Sequence, residues 1–115
     1  MQKHRTLVAI LLALIPLSAL AGEPLTQEQI SHQIIGKDIT VKRMGMNVKL
    51  KYLPNGNVTM KALLMSYSGE WEYDRGGICM VMTSGPRKGR NCVTISHLNG
   101  NQFLNSEGAT MTVQD

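Results

Sequence analysis

Apolar positions along the chain fall into three regimes: an unbroken run, then a spacing of three to four residues, then alternation. The unbroken run is "LVAILLALIPLSAL", preceded by Lys3, His4 and Arg5 and ending in Ala19-Leu20-Ala21 before Gly22. A basic head, a short apolar stretch and small residues where signal peptidase reads predict a secretory leader over residues 1–21. A membrane anchor would need a charged flank behind the run, and none follows. No cysteine follows it either, so a lipoprotein acceptor is missing.

The second regime is "LTQEQISHQIIGKD". Thr26 can cap a first turn, Gln29 three residues later can complete a capping box, and Leu25 can staple against Ile30. Ile30 and Ile34 share a face and Gly36 is a left-handed stop, which predicts one helix over about residues 26–35. His32 lies on the surface of this helix, where a histidine is ordinarily solvated.

From Lys37 onward the period drops to two, with turn signals every eight to twelve residues. "DITVKR" alternates Ile39 and Val41 against polar neighbours, and "NVKLKYL" alternates Val48, Leu50 and Tyr52 against Lys49 and Lys51. Pro54-Asn55-Gly56, between it and the strand "NVTMKALL", has the chemistry of a type I turn closed by a glycine bulge, and it pairs Tyr52 with Val58, Leu50 with Met60 and Val48 with Ala62. The same register sets Lys49 opposite Lys61 on the outer face. Arg75-Gly76 is a two-residue turn that pairs Tyr73 with Ile78, Trp71 with Met80 and Glu72 with Cys79. "SGPRKG" turns the chain again, and "QFLN" with "ATMTV" closes a last hairpin on "SEG".

The sum is a mainly β chain with one N-terminal helix, followed by seven or eight antiparallel strands in a meander over about residues 37–113. A small curled sheet or barrel, with the helix plugging one end or lying on one side, covers the faces and edges that so short a flat sheet would expose. Residues 22–115 leave room for a single β-rich domain.

Composition changes this picture in one respect. The chain carries a net charge of +4, but Lys3 and Arg5 belong to the leader, and the 10 remaining basic residues against 8 acidic ones leave +2. Charge this sparse suits a protein or anionic envelope partner and lacks the dense basic stripe of a nucleic-acid binder. The exposed sheet face carrying Lys42, Lys49, Lys51 and Lys61 is the candidate contact surface, against the plainer reading of a solubilising edge. Neither oligomeric state nor a membrane span after leader removal is written in the pattern.

Cys79 and Cys92 are the only cysteines. The hairpin register places them opposite each other, facing outward, while Ile78, Met80, Val93 and Ile95 share the inner face with Trp71 and Tyr73. In an oxidising compartment this geometry predicts a structural disulfide. Closing its 14-residue loop contributes about 3 kcal/mol in the chain-entropy account. A redox pair would sit as C-x-x-C at a helix start, and a zinc site would need two further ligands where only His32 and His97 are on offer.

The order of features resembles a family of small secreted bacterial proteins known only as a domain of unknown function. The likeness rests on Leu25-Thr26-x-Glu28-x-Ile30, Gly36-Lys37, Tyr52-x-Pro54-Asn55-Gly56, Gly69-x-Trp71, Ile78-Cys79 and Cys92, and spans most of the chain after the leader. It implies a periplasmic or secreted β-rich protein and carries no activity. Gly69-x-Trp71 also resembles the motif of lipocalin-like barrels, where it belongs to the first strand rather than the middle of the chain.

Two stretches raise the question of chemistry. Met44-Gly45-Met46 and Met80-Val81-Met82 resemble the Met-x-Met pairs with which small periplasmic barrels hold Cu(I), since soft thioethers suit a soft ion; Met44 and Met46, beside a turn glycine, are the better placed. Methionine also fills cores, and Met80 and Met82 lie on the inner face. "YSGEW", Tyr67 to Trp71, resembles the Ser-Gly loop of small periplasmic lysozyme inhibitors. Enzymatic readings are thin: no serine has a nucleophile-elbow context, and Glu70 and Glu72 on one strand face are ordinarily solvent-facing. Carriage of a small apolar ligand requires a cavity, and inward-facing Tyr52, Trp71, Tyr73 and Phe103 leave little space for one. The expectation is therefore a non-enzymatic periplasmic or secreted protein, without a cofactor, that binds a macromolecule through an exposed sheet face. The alternatives are a Cu(I) carrier and an inhibitor of an envelope-attacking enzyme.

Overall fold

The computed structural model describes residues 22–85 and 88–114, and the leader read over residues 1–21 lies outside them. Helix α1 (Gln27–Gln33) is followed by β1 (Asp38–Arg43), β2 (Met46–Tyr52), β3 (Asn57–Ala62), β4 (Met65–Asp74), β5 (Gly77–Met82), β6 (Gly89–Val93), β7 (Ile95–Asn99), β8 (Gln102–Asn105) and β9 (Thr110–Gln114). All nine strands join one antiparallel sheet in the order β6-β5-β4-β3-β2-β1-β9-β8-β7, curled into a half-barrel.

The helix begins as its sequence predicts. Thr26 accepts from the Gln29 amide and the Gln29 side chain accepts from the Thr26 amide, a reciprocal box that stabilises the first turn by about 1 kcal/mol. It ends two residues earlier than expected. The Ile35 amide reaches back to the Ile30 carbonyl, Gly36 turns with φ of 79°, and its amide donates to the Tyr52 carbonyl at 2.6 Å, which ties the helix end to the end of β2. Leu25, Ile30 and Ile34 are buried with Ile39, Tyr52, Ile78, Ile95, Phe103 and Met111 in one core cluster.

Three hairpin registers match the sequence reading residue for residue: Tyr52 with Val58, Tyr73 with Ile78 and Cys79 with Cys92. Where seven or eight strands were expected there are nine among the described residues, because "NCVTISHLN" changes partner midway. Its first half pairs with β5 and its second half with β8, and Thr94 alone lies between. The Thr94 amide donates to Ser106 Oγ and its carbonyl accepts from the Ser106 amide, so the bend is held by the β8–β9 turn. Ile95 is buried as expected, but at the opposite edge of the sheet from Ile78. That edge is partly covered: Pro24 bridges to Ser96 and the Leu25 amide donates to the Ile95 carbonyl at 2.6 Å.

Candidate functional site

Alternation gives the sheet two faces, and each carries a concavity. On the outer face a groove of about 840 Å³ crosses β1 to β4, lined among others by Thr40, Lys49, Lys51, Thr59, Lys61 and Ser66. Lys49 and Lys61 are direct cross-strand partners, flanked in the same row by Thr40 and Ser66. Side chains in such positions have Cβ atoms about 5 Å apart. Lys51 lies 3.5 Å from the Asp38 carboxylate, whereas neither Lys49 nor Lys61 has an ion-pair partner among the described residues. Three of the four lysines singled out in the sequence are thus brought together; Lys42 shares their face, opposite Asn47 and Thr110, but does not line the groove. Two ammonium groups beside four hydroxyls, Ser68 being the fourth, form a donor-rich surface suited to oxyanions.

The outer face reverses sign across β4. Arg90 donates to both Glu72 and Asp74, the second at 2.6 Å, and these bonds raise the pKa of its guanidinium. Glu72 is therefore engaged by an arginine rather than paired with Glu70. The Cys79–Cys92 disulfide lies on this face, with Cys79 fully buried. Asp74 approaches the two sulfurs, but cysteines joined to each other offer no thiolate to a metal.

The inner face divides into a filled and an open end. At the filled end Trp71 stands edge-on to Tyr52 and Tyr73, with centroids 6.1 and 5.0 Å away, and its indole N–H donates to the Leu53 carbonyl at 2.7 Å. Gly69 allows this: a Cβ there would come within 2.8 Å of the Met82 backbone, so β4 and β5 approach closely just before the tryptophan. The Gly-x-Trp motif is accounted for by packing in a middle strand. The open end holds an apolar concavity of about 440 Å³ lined by Met44, Met46, Met60, Met80 and Met111, with Glu107 and Tyr52 also on its wall. A cavity is present despite the inward aromatics because Trp71, Tyr73 and Phe103 lie outside its lining and only Tyr52 stands on its wall. Burial first, and then the negative charge of Glu107, push the Tyr52 phenol above its ordinary value.

Two expectations change on contact with this geometry. Tyr67 to Trp71 runs inside β4, and the Ser68 carbonyl accepts from both the amide and the hydroxyl of Thr83, so the Ser-Gly pair is strand rather than loop. "NVTMKALL" does not continue as strand to its end: β3 stops at Ala62 and the chain reverses over Leu63 and Leu64. Nothing in the turn code marks that reversal. The available signal is the run Ala62-Leu63-Leu64-Met65, four apolar residues in a row inside an alternating sequence, which breaks the pattern of a one-face-buried strand.

No protein-family model matches the chain, and neither a curated protein nor a solved structure is similar to it. The disulfide is consistent with an oxidising compartment outside the cytoplasm.

Proposed function

We propose that the protein is a non-enzymatic binding module, exported to the periplasm or beyond, that holds an anionic macromolecule in the groove on its outer sheet face. The single observation behind this is the Lys49–Lys61 pair. Like charges opposite one another lower stability, and here both stay without an acidic neighbour among the described residues although Asp38 serves Lys51 close by. A bound carboxylate, phosphate or sulfate relieves that repulsion, and the hydroxyls of Thr40, Thr59, Ser66 and Ser68 supply further donors. Solubilising lysines would serve equally well scattered along an edge strand, whereas β2 and β3 are central. The test is capture of anionic envelope material by the wild type and by a Lys49→Ala/Lys61→Ala variant. The variant is expected to fold normally and lose capture, and undiminished capture overturns the reading.

A second reading attaches to the inner concavity, because Met44 and Met46 stand at a space that Met60, Met80 and Met111 also line. Thioethers so gathered suit Cu(I). Anaerobic titration with Cu(I) decides it, and binding no tighter than to free methionine removes it.

A further inference from the structure

Among the described residues, the most exposed large hydrophobic side chains are concentrated in one place, with Val81 and Leu98, 39 and 37 % exposed, lying elsewhere. Met44, Leu63 and Leu64 are 91, 89 and 95 % exposed, and Met46 and Met65 60 and 57 %. All five lie in the β1–β2 and β3–β4 turns or on the first strand residue after each. Because β2 pairs with β3, with Val48 opposite Ala62, these two hairpins stand side by side and turn at the same end of the sheet, away from α1. The turns are also conformationally costly. Met44 and Leu63 have φ of 52° and 57°, the left-handed region that Gly, Asn or Asp fill with less strain. Apolar residues held at such positions and offered to solvent stabilise neither the turn nor the core.

The segment that carries them is basic, although Glu107 of the β8–β9 turn lines the inner concavity beside Met44 and Met46. From residue 39 to residue 69 the sequence contains Lys42, Arg43, Lys49, Lys51 and Lys61 and no Asp or Glu. Lys42 and Arg43 immediately precede Met44, and Lys61 lies two positions before Leu63. At about 3.3 Å per strand residue this sets a basic collar about 7 Å behind the tips. Apolar groups at a bilayer surface sink about 5–10 Å to the boundary between headgroups and acyl chains, with cationic residues at phosphate level.

We propose that the two tips, Met44–Met46 and Leu63–Met65, insert into the interface of an anionic lipid bilayer, with Lys42, Arg43 and Lys61 on the headgroup phosphates. A second copy of the chain is disfavoured as occupant, since docking tip to tip would set Lys42, Arg43 and Lys61 of one copy against the same three residues of the other. The inference goes beyond the groove reading and stands on different side chains, sharing Lys61 with it.

Sedimentation with vesicles tests it, using protein recovered from the periplasm of a bacterial host and confirmed by mass to lack the leader. The wild type is expected to pellet with vesicles of mixed phosphatidylglycerol and phosphatidylcholine, to release as salt rises, and to ignore pure phosphatidylcholine. A Leu63→Ser/Leu64→Ser variant, altered only at exposed positions, should melt like the wild type and lose at least about tenfold in partitioning. Lys49→Ala, which removes a groove lysine outside the collar, should pellet like the wild type, so failure of the groove reading and of this one are read separately. Wild-type partitioning by the serine variant, or no wild-type binding to anionic vesicles, overturns the proposal. So does a dimer in analytical ultracentrifugation that the serine variant abolishes while vesicles go unbound, which assigns the tips to a second copy.

Discussion

The Trp71 indole N–H donates to the carbonyl of Leu53, 18 residues earlier in the chain, at 2.7 Å. The bond spans from β4 to the β2–β3 turn, where the Leu53 amide already donates to Asn57 and the Trp71 amide donates to the Gly56 carbonyl at 2.9 Å. One residue thus fixes a turn by its backbone and its ring together. Trp71→Phe keeps most of the edge-on packing with Tyr52 and Tyr73 but leaves the Leu53 carbonyl with only the Gly56 amide as donor. Urea denaturation is expected to show a loss of about 1 kcal/mol. Equal midpoints would mean that water replaces the indole at no cost.

The Cys79–Cys92 bridge joins β5 to the edge strand β6 across a directly opposed pair. Reduction should lower stability by about 3 kcal/mol, which for a domain of this size corresponds to a fall in Tm of more than about 10 °C. Thiol titration of denatured protein from the periplasm should find no free cysteine. Finding two would overturn both the bridge and the compartment inferred from it.

Burial holds the Tyr52 phenol neutral above its ordinary pKa of 10.0. Below that value the folded and unfolded chains are both neutral at this position and it adds no pH dependence. As pH rises past 10 the unfolded phenol ionises while the folded one does not, so stability falls with a slope approaching about 1.4 kcal/mol per pH unit. Tyr52→Phe removes that slope. In melting curves between pH 9 and pH 11.5 the stability difference should move in favour of the phenylalanine variant as pH rises, and a constant difference would rule the phenol out.

Met44 and Gly45 both have positive φ, 52° and 80°, as the central pair of a type I′ turn does. Met44→Asn creates the Asn-Gly sequence that this turn prefers. A gain of about 1 kcal/mol in thermal unfolding is expected, because asparagine tolerates the left-handed region that methionine occupies under strain. An unchanged Tm would show that the turn relaxes around the side chain.

Much of this architecture was legible because its turns are chemically explicit. Pro54-Asn55-Gly56 and Arg75-Gly76 each fix a register, and once one pair is set the period of two assigns every other side chain to a face. Lys49 opposite Lys61 followed directly, whereas Cys79 opposite Cys92 rested on the two cysteines themselves, since "SGPRKG" fixes no register. Other features are decided by tertiary packing and leave no local mark. Thr94 changes the partner of its strand from β5 to β8 without interrupting alternation, so Val93 and Ile95 read as one strand on one face. The Leu63-Leu64 reversal has no Gly, Asn or Pro, and its left-handed leucine violates the preference that makes turns readable. The apolar concavity was invisible for a related reason: alternation says which residues point inward, not at which end of a curled sheet the large ones collect.

Of the eight ladders in the sheet, seven join strands that neighbour each other in the chain, and those hairpins can form within microseconds wherever they lie. The eighth joins β1 to β9, residues 38–42 to residues 110–114. Its closure carries nearly all of the long-loop entropy in the topology and sets the pace of folding. A chain delivered from its N-terminus therefore holds the outer edge of its first strand unpaired until almost its last residue has arrived.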